Sequence, residues 1–217
     1  ISPGKAGEVL KSYVIRERTG TPMAQTIPAV ITERLTDAIA MLLLAGIGIT
    51  TYAAEQIHYV IIPAIIALSG IGVLLHEGLS LKIIDILGKI GPLSKITPKL
   101  KEMLKAMRTC VAPIALLWTT SLGFIAWGAE CVAFQLIFIG LGVQAPLDVC
   151  LFLYSFATIA GSALVPGGIG VADGALSFGA LQYIPNVIES QAVAAAFLVR
   201  IATMWFGVGL GSLALFK

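Results

Sequence analysis

The stretch Val30-Ile31-Thr32-Glu33-Arg34-Leu35-Thr36-Asp37 opens a long apolar run that ends near Ile49. Glu33 and Asp37 are four residues apart, so a helix places them on one face, with Arg34 beside them. A charge at bilayer depth costs roughly 2.5–3.5 kcal/mol on insertion scales, so it normally faces a partner or a wet cavity. The stretch therefore predicts a membrane helix whose charged end faces a polar track.

The composition places the whole chain in a membrane. Of its 217 residues, 58% are hydrophobic and only 12% are charged, whereas a soluble domain has about 25% charged residues. The net charge of +2 is too small to indicate a nucleic-acid partner. None of the cysteines Cys110, Cys131 and Cys150 is spaced as C-x-x-C, so neither a zinc site nor a redox motif is predicted.

Outward from this first helix, the apolar runs predict an all-α polytopic fold with about five transmembrane helices. They cover residues 28–49, 57–75, 111–143, 147–164 and 192–216. Since one span needs about 20 residues, the run 111–143 is long for one helix and short for two. We favour one long helix, tilted or broken, and two passes stay open as the alternative.

The polar loop over residues 77–110 is basic. Its part from 77 to 108 has seven lysines and arginines against three acids, and the positive-inside rule places such a loop in the cytoplasm. Residues 1–27, two spans earlier, carry four cations against two acids, which agrees. The loop is expected to rest on anionic lipid headgroups, or to dock a cytoplasmic partner enzyme. We expect a single membrane domain over 1–217, preceded by further spans in the natural protein.

Two similar patterns indicate an internal repeat. Pro3-Gly4, followed by Glu8, precedes Arg34, and Pro166-Gly167, followed by Asp173, precedes Arg200 at nearly the same spacing. Transporters are often built from two such repeats, with broken helices at a central site. We expect halves of about 1–76 and 147–217, with re-entrant Pro-Gly elements that line a cavity, because lipid offers their backbone no partners. The distribution of charged residues does not determine on which side of the membrane the second Pro-Gly element begins.

The combination of motifs resembles a known family. Ser2-Pro3-Gly4-Lys5-Ala6-Gly7-Glu8, the Glu33-Arg34-Leu35-Thr36-Asp37 helix and the later Pro166-Gly167-Gly168-Ile169-Gly170 element resemble the lysylphosphatidylglycerol synthase/flippase transmembrane-domain family over nearly the whole chain. In its best-known members this domain is fused to a cytoplasmic aminoacyl transferase. The transferase makes lysyl-phosphatidylglycerol, and the membrane domain is implicated in moving that lipid to the outer leaflet. Other members stand alone or accompany glycosyltransferases that act on polyprenyl-phosphate sugars.

The resemblance implies a lipid flippase in the plasma membrane of a prokaryote. The 217 residues contain no soluble transferase domain, so lysyl transfer is not carried over. The expected partners are membrane lipids, either an anionic phospholipid or an aminoacyl or polyprenyl-linked lipid, together with a candidate cytoplasmic transferase.

A flippase needs a polar track for the headgroup, and arginine binds phosphate with a planar fork. We predict Arg34 and Arg200 as phosphate contacts and Lys5 as an entry contact, since helix N-termini attract anions. Glu130 is expected to join the track or to carry a proton. The counter-charges are expected to be Glu8, Glu33, Asp37 and Asp173. The alternative is that the arginines pair with these acids only to fix helix packing.

Two other functions stay open. The chain could be a non-catalytic membrane partner of a glycosyltransferase or lipid synthase, or an intramembrane transferase acting on polyprenyl-phosphate. The sequence shows no nucleophile–base pair, metal triad or D-x-x-D motif, so we predict a transporter rather than an enzyme, without metal or cofactor. It has no ATP-binding motif either, so directional transport would need an ion gradient or a consuming step downstream.

Overall fold

The computed structural model describes residues 9–52, 58–89, 94, 97–164 and 168–215, and every regular element among them is helical. A π-helical turn over Ile201–Trp205 separates the last two helices. The helices in chain order are α1 (Val9–Thr19), α2 (Met23–Tyr52), α3 (His58–Leu75), α4 (Glu77–Gly88), α5 (Thr97–Cys110), α6 (Pro113–Gly140), α7 (Leu147–Leu164), α8 (Val171–Tyr183), α9 (Glu189–Arg200) and α10 (Phe206–Leu215).

In the part of the chain that the structure describes, two helical stretches are long and apolar enough to cross a membrane, Pro113–Gly140 and Glu189–Leu213. A third candidate joins Ala64–Leu75 to Glu77–Gly88, if this bent pair counts as one span, and the apolar helix Leu147–Ser162 is shorter. The predicted all-helical membrane class is therefore confirmed. Among the described residues, two of the five predicted spans correspond to clear candidates.

The helix of the opening stretch is longer than its apolar run. α2 has 30 residues and contains Pro28, which cannot donate a backbone hydrogen bond. The Thr32 hydroxyl donates to the Pro28 carbonyl oxygen at 2.9 Å. In the third apolar run, α6 is one helix of 28 residues, as we favoured. The loop predicted over 77–110 contains two helices, α4 and α5.

The chain divides into two compact units, each described here by itself. The first unit comprises Ile1–Ala40 and Ile61–Gly123, and the second comprises Met41–Val60 and Phe124–Lys217. The helices α2 and α6 each contribute to both units.

Polar contacts join the helices of the first unit. Asp85 of α4 pairs with Lys101 of α5 at 2.9 Å. The Gln25 amide of α2 donates to Glu102 of α5 at 3.3 Å.

In the second unit the core is aromatic and its helices approach closely at small residues. The rings of Phe134 and Phe138 on α6 meet edge to face at 5.0 Å, and Tyr154 of α7 lies 5.8 Å from Phe134. A Cβ on Gly161 of α7 would lie 2.7 Å from the Cβ of Ala172 on α8. Small residues at such positions let helix backbones approach, which is how membrane helices pack.

Candidate functional site

The first charged group lies on α2 in the first unit. Arg34 binds Glu33 through Nη2 at 2.7 Å and Asp37 through Nη1 at 3.0 Å. Lys11 of α1 reaches both carboxylate oxygens of Glu33 at 3.4 Å. We call these four residues the Arg34 cluster. The side chains of Arg34, Glu33 and Asp37 keep 31%, 46% and 19% of their surface exposed, so water or a ligand can reach the cluster.

The local helix explains the Arg34 cluster. Asp37 follows Arg34 by three residues, a spacing at which side chains meet on a helix surface. Gly123 of α6 faces the same turn of α2: a Cβ there would lie 3.4 Å from the Cβ of Ala40 and 3.7 Å from Asp37 Oδ1. Those are ordinary contact distances, so α6 packs beside this turn of α2 without a steric clash.

The second charged group lies in the second unit. Arg200, the last residue of α9, donates from Nε to Asp173 Oδ1 at 2.7 Å and from Nη2 to the Gly168 carbonyl oxygen at 2.9 Å. These three residues form what we call the Arg200 clamp. Only 18% of the Arg200 side chain and 28% of the Asp173 side chain are exposed. The clamp ties α9 to the first turn of α8 and to the residues before it.

Asp173 has two roles in this arrangement. Its Oδ2 accepts the backbone N–H of Gly170 at 2.8 Å, so the carboxylate satisfies a donor at the start of α8 while its other oxygen binds Arg200. A carboxylate in the first turn of a helix is also stabilised by the helix dipole. Gly168 has φ +67°, and a Cβ there would lie 3.0 Å from Arg200 Nη2. A glycine at this position lets the guanidinium reach the backbone carbonyl.

The helix changes its hydrogen bonding directly after Arg200. Ile201–Trp205 forms a π-helical turn, an irregularity that is frequent at functional sites. The Thr203 hydroxyl donates to the Val199 carbonyl oxygen at 2.8 Å. The candidate span Glu189–Leu213 therefore carries an arginine and a local break at the same place.

Glu130 lies on α6 in the second unit, within a candidate span. The hydroxyl of Tyr154 donates to Glu130 Oε2 at 2.7 Å, and Tyr154 is 6% exposed. This short charge-assisted bond gives the carboxylate a defined position between α6 and α7.

The predicted site residues thus fall into separate groups. Glu33, Arg34 and Asp37 come together in the first unit, Asp173 and Arg200 come together in the second, and Glu130 meets Tyr154 there. Lys5 and Glu8 lie outside the described residues, as do both Pro-Gly pairs. That these residues contact a lipid stays a prediction.

Sequence reasoning missed Tyr154 and the Gly168 carbonyl. A tyrosine inside the apolar run of α7 was the available signal, because a buried hydroxyl needs a hydrogen-bond partner. Its partner is 24 residues away, and no spacing rule identifies it. Within the described ranges, no group of three or more His, Cys, Asp or Glu side chains could hold a metal ion.

Comparison with known proteins places the chain in a family. A family model described as the lysylphosphatidylglycerol synthase TM region matches residues 1–211. The chain is also similar to a UPF0104 membrane protein of Methanocaldococcus jannaschii, with 24% identity over 218 residues, covering 97% of this chain and 89% of that protein. No solved structure matches the chain.

Proposed function

The chain belongs to the lysylphosphatidylglycerol synthase transmembrane-region family, and on that premise we propose that it moves a phospholipid or a lipid-linked headgroup between the leaflets of its membrane. One observation carries the proposal. Each of the two arginines expected at a membrane helix is held by a carboxylate, with part of the arginine side chain exposed. The Arg200–Asp173 pair is neutral when empty, as is the Arg34 cluster with Lys11 included, and each arginine can exchange a carboxylate for a phosphate.

The chemistry of the exchange follows from the two anions. A phosphodiester offers oxygen acceptors that match the guanidinium fork, as a carboxylate does. When phosphate takes the place of Glu33 or Asp37 on Arg34, the released carboxylate is free to hold a cationic part of the headgroup. Glu33 is the most exposed acid of the Arg34 cluster, so it is the first to be released. Lys11, 3.4 Å away, then neutralises it.

The proposal includes a fuller topology than the two clear spans. In it, five helical stretches cross the plasma membrane of a prokaryote, and the halves over 1–76 and 147–217 are repeats. The transported lipid is an anionic phospholipid or an aminoacyl or polyprenyl-linked lipid, and a cytoplasmic transferase supplies or consumes it. Glu130, with its Tyr154 partner, is a part of the polar track.

The test is leaflet exchange by the full-length protein in vesicles. Separate vesicle preparations carry a fluorescent phosphatidylglycerol, a lysyl-phosphatidylglycerol or a polyprenyl-phosphate lipid. Arg34→Gln should slow exchange of the transported lipid roughly 10- to 150-fold, since a hydrogen bond to a charged group contributes about 1.5–3 kcal/mol. Arg18→Gln is the matched control, because Arg18 is an exposed arginine of α1 outside the cluster, and its rate should equal wild type.

The alternatives give different results in the same vesicles. A wild-type protein that exchanges none of the three lipids but co-purifies with a glycosyltransferase or lipid synthase is a membrane partner of that enzyme. A new covalent lipid product identifies an intramembrane transferase. Equal rates for wild type and a folded Arg34→Gln protein would remove Arg34 from the track.

A further inference from the structure

Helix α4 carries an exposed apolar face. Leu79, Ile83, Ile86 and Leu87 recur at the spacing of one helix face, and each is a large hydrophobic side chain with 38–61% of its surface exposed. Lys82 and Lys89 border this face, four residues before and three residues after Ile86. We call the four apolar residues the α4 stripe. An apolar face rimmed by lysines is typical of a helix that lies on a membrane surface.

The helix leaves α3 at a right angle. The axis of Glu77–Gly88 turns 92° from that of Ala64–Leu75, and His76 at the bend accepts the Leu79 backbone N–H on its Nδ1 at 3.2 Å. Because α3 is apolar and exposes four isoleucines between positions 61 and 66, it suits a path through the bilayer. A helix at 92° to such a path runs in the plane of the membrane.

Arg108 of α5 fixes this bend. Its Nε donates to the Leu74 carbonyl oxygen at 3.2 Å, which belongs to α3. Its Nη2 donates to the buried Ser80 hydroxyl at 3.1 Å, and its Nη1 pairs with Glu77 at 3.1 Å, both on α4. One guanidinium therefore bridges the end of α3 and the start of α4, and three simultaneous bonds oppose straightening.

Helix α5 contacts the side of α4 that lies away from the α4 stripe, and α5 itself faces water. Asp85, on the face of α4 away from the stripe, pairs with Lys101 of α5 at 2.9 Å, and both side chains are about half exposed. α5 also carries the exposed cations Lys99 and Lys105. Charges of this kind are costly in hydrocarbon, so α5 stays in water and keeps α4 at the boundary.

We propose that α4 is an in-plane helix of the membrane–water interface, with the α4 stripe among the acyl chains of an anionic phospholipid surface and α5 above it on the aqueous side. The α4 stripe is apolar and favours lipid, whereas the charged helix α5 favours water. The bend that Arg108 fixes lets each of them lie in its favoured environment. The bordering lysines reach the phosphates, where each cation near the surface adds about 1 kcal/mol of attraction. This inference rests on membrane insertion of α3 and is independent of lipid transport.

Depth measurements along α4 test the proposal. Spin labels are placed singly by Leu79→Cys, Ile83→Cys and Ile86→Cys in the full chain, in a background where Cys110, Cys131 and Cys150 are replaced by serine or alanine. Lys105→Cys on α5 is the control. Collision rates with oxygen and with a water-soluble nickel chelate give the depth of each label in vesicles of phosphatidylcholine and phosphatidylglycerol.

The proposal expects one common depth for the three stripe labels, about 5–10 Å below the headgroups, and a control label in water. A re-entrant or broken span instead predicts a gradient of about 10 Å between positions 79 and 86, at about 1.5 Å per residue. That gradient overturns the proposal, as does shielding of the stripe from both reagents, which means that a protein covers it. If a label unfolds the chain, Ile83→Trp with quenching by brominated lipids measures the same depth.

Discussion

Arg34 is held from within its own helix, whereas Arg200 is held by a neighbouring helix and the turn before it. The partners of Arg34 on α2 are one residue before it and three residues after it. Arg200 reaches across 27 residues to Asp173 and across 32 to the Gly168 carbonyl. Sequence analysis expected one role for both arginines, but their contacts differ in range and in exposure.

This difference separates binding from packing. Because Glu33 and Asp37 lie on the same helix as Arg34, exchanging either of these ion pairs for a ligand does not in itself separate two helices, so the Arg34 cluster suits a site that opens to a ligand. The Arg200 clamp joins α8 to α9, and losing it disturbs tertiary structure as well as chemistry. We therefore propose that headgroup binding dominates at Arg34 and helix packing dominates at Arg200. Three substitutions test this assignment.

The largest effect is expected from Arg200→Gln. It removes the cation that Asp173 pairs with and one donor to Gly168, in a setting where both charged side chains are mostly buried. We expect a loss of roughly 2 kcal/mol of stability, below the 3–5 kcal/mol of fully buried pairs because the clamp is partly exposed. Thermal denaturation in detergent measures it. Adding Asp173→Asn should recover part of the loss, and an additive double variant would show that the two side chains are not coupled.

A smaller effect, measured as the excess over a matched control, is expected from Gly168→Ala, which tests how tightly the clamp is built. The new Cβ would lie 3.0 Å from Arg200 Nη2 at a residue with φ +67°. The control is Gly142→Ala at φ +80°, where nothing lies within 4 Å. Both variants share the cost of a left-handed residue, about 1–2 kcal/mol.

Gly168→Ala should lose about 1 kcal/mol more stability than its control, because the Arg200 guanidinium must shift. Melting temperatures of the two variants, measured side by side in detergent, give this excess. Equal melting temperatures would mean that the guanidinium yields freely, and the clamp would then be as loose as the Arg34 cluster.

The smallest effect on stability is expected from Arg34→Gln. Its pairs lie within one helix and are partly exposed, and exposed ion pairs contribute about 0–1 kcal/mol. The melting temperature should therefore stay close to that of wild type, while Arg200→Gln melts earlier. A loss as large as that of Arg200→Gln would erase the distinction between the two arginines and favour a packing role for both.

Particular residues show how far sequence reasoning reached. The three-residue spacing of Arg34 and Asp37 makes them neighbours on a helix face in advance, and the two side chains are in contact. The contact of Arg34 with the adjacent Glu33 follows from no spacing rule. Sequence analysis considered an ion pair between Asp173 and Arg200 as the alternative to headgroup binding, and the two side chains do form an ion pair. The contact of Tyr154 with Glu130 was not predicted, since it joins two helices. α4 was also missed, although its stripe has helical spacing, because its charges indicated a loop.

The sequence by itself determined that this is a helical membrane protein, because the excess of apolar over charged residues is a property of the chain that no folding changes. It also determined that Glu33, Arg34 and Asp37 are near neighbours on one helix. Only the tertiary structure decided which groups bind Arg200, which hydroxyl donates to Glu130 and at what angle α4 leaves α3. Those contacts join residues far apart in the chain, and their geometry exists only once the helices have packed.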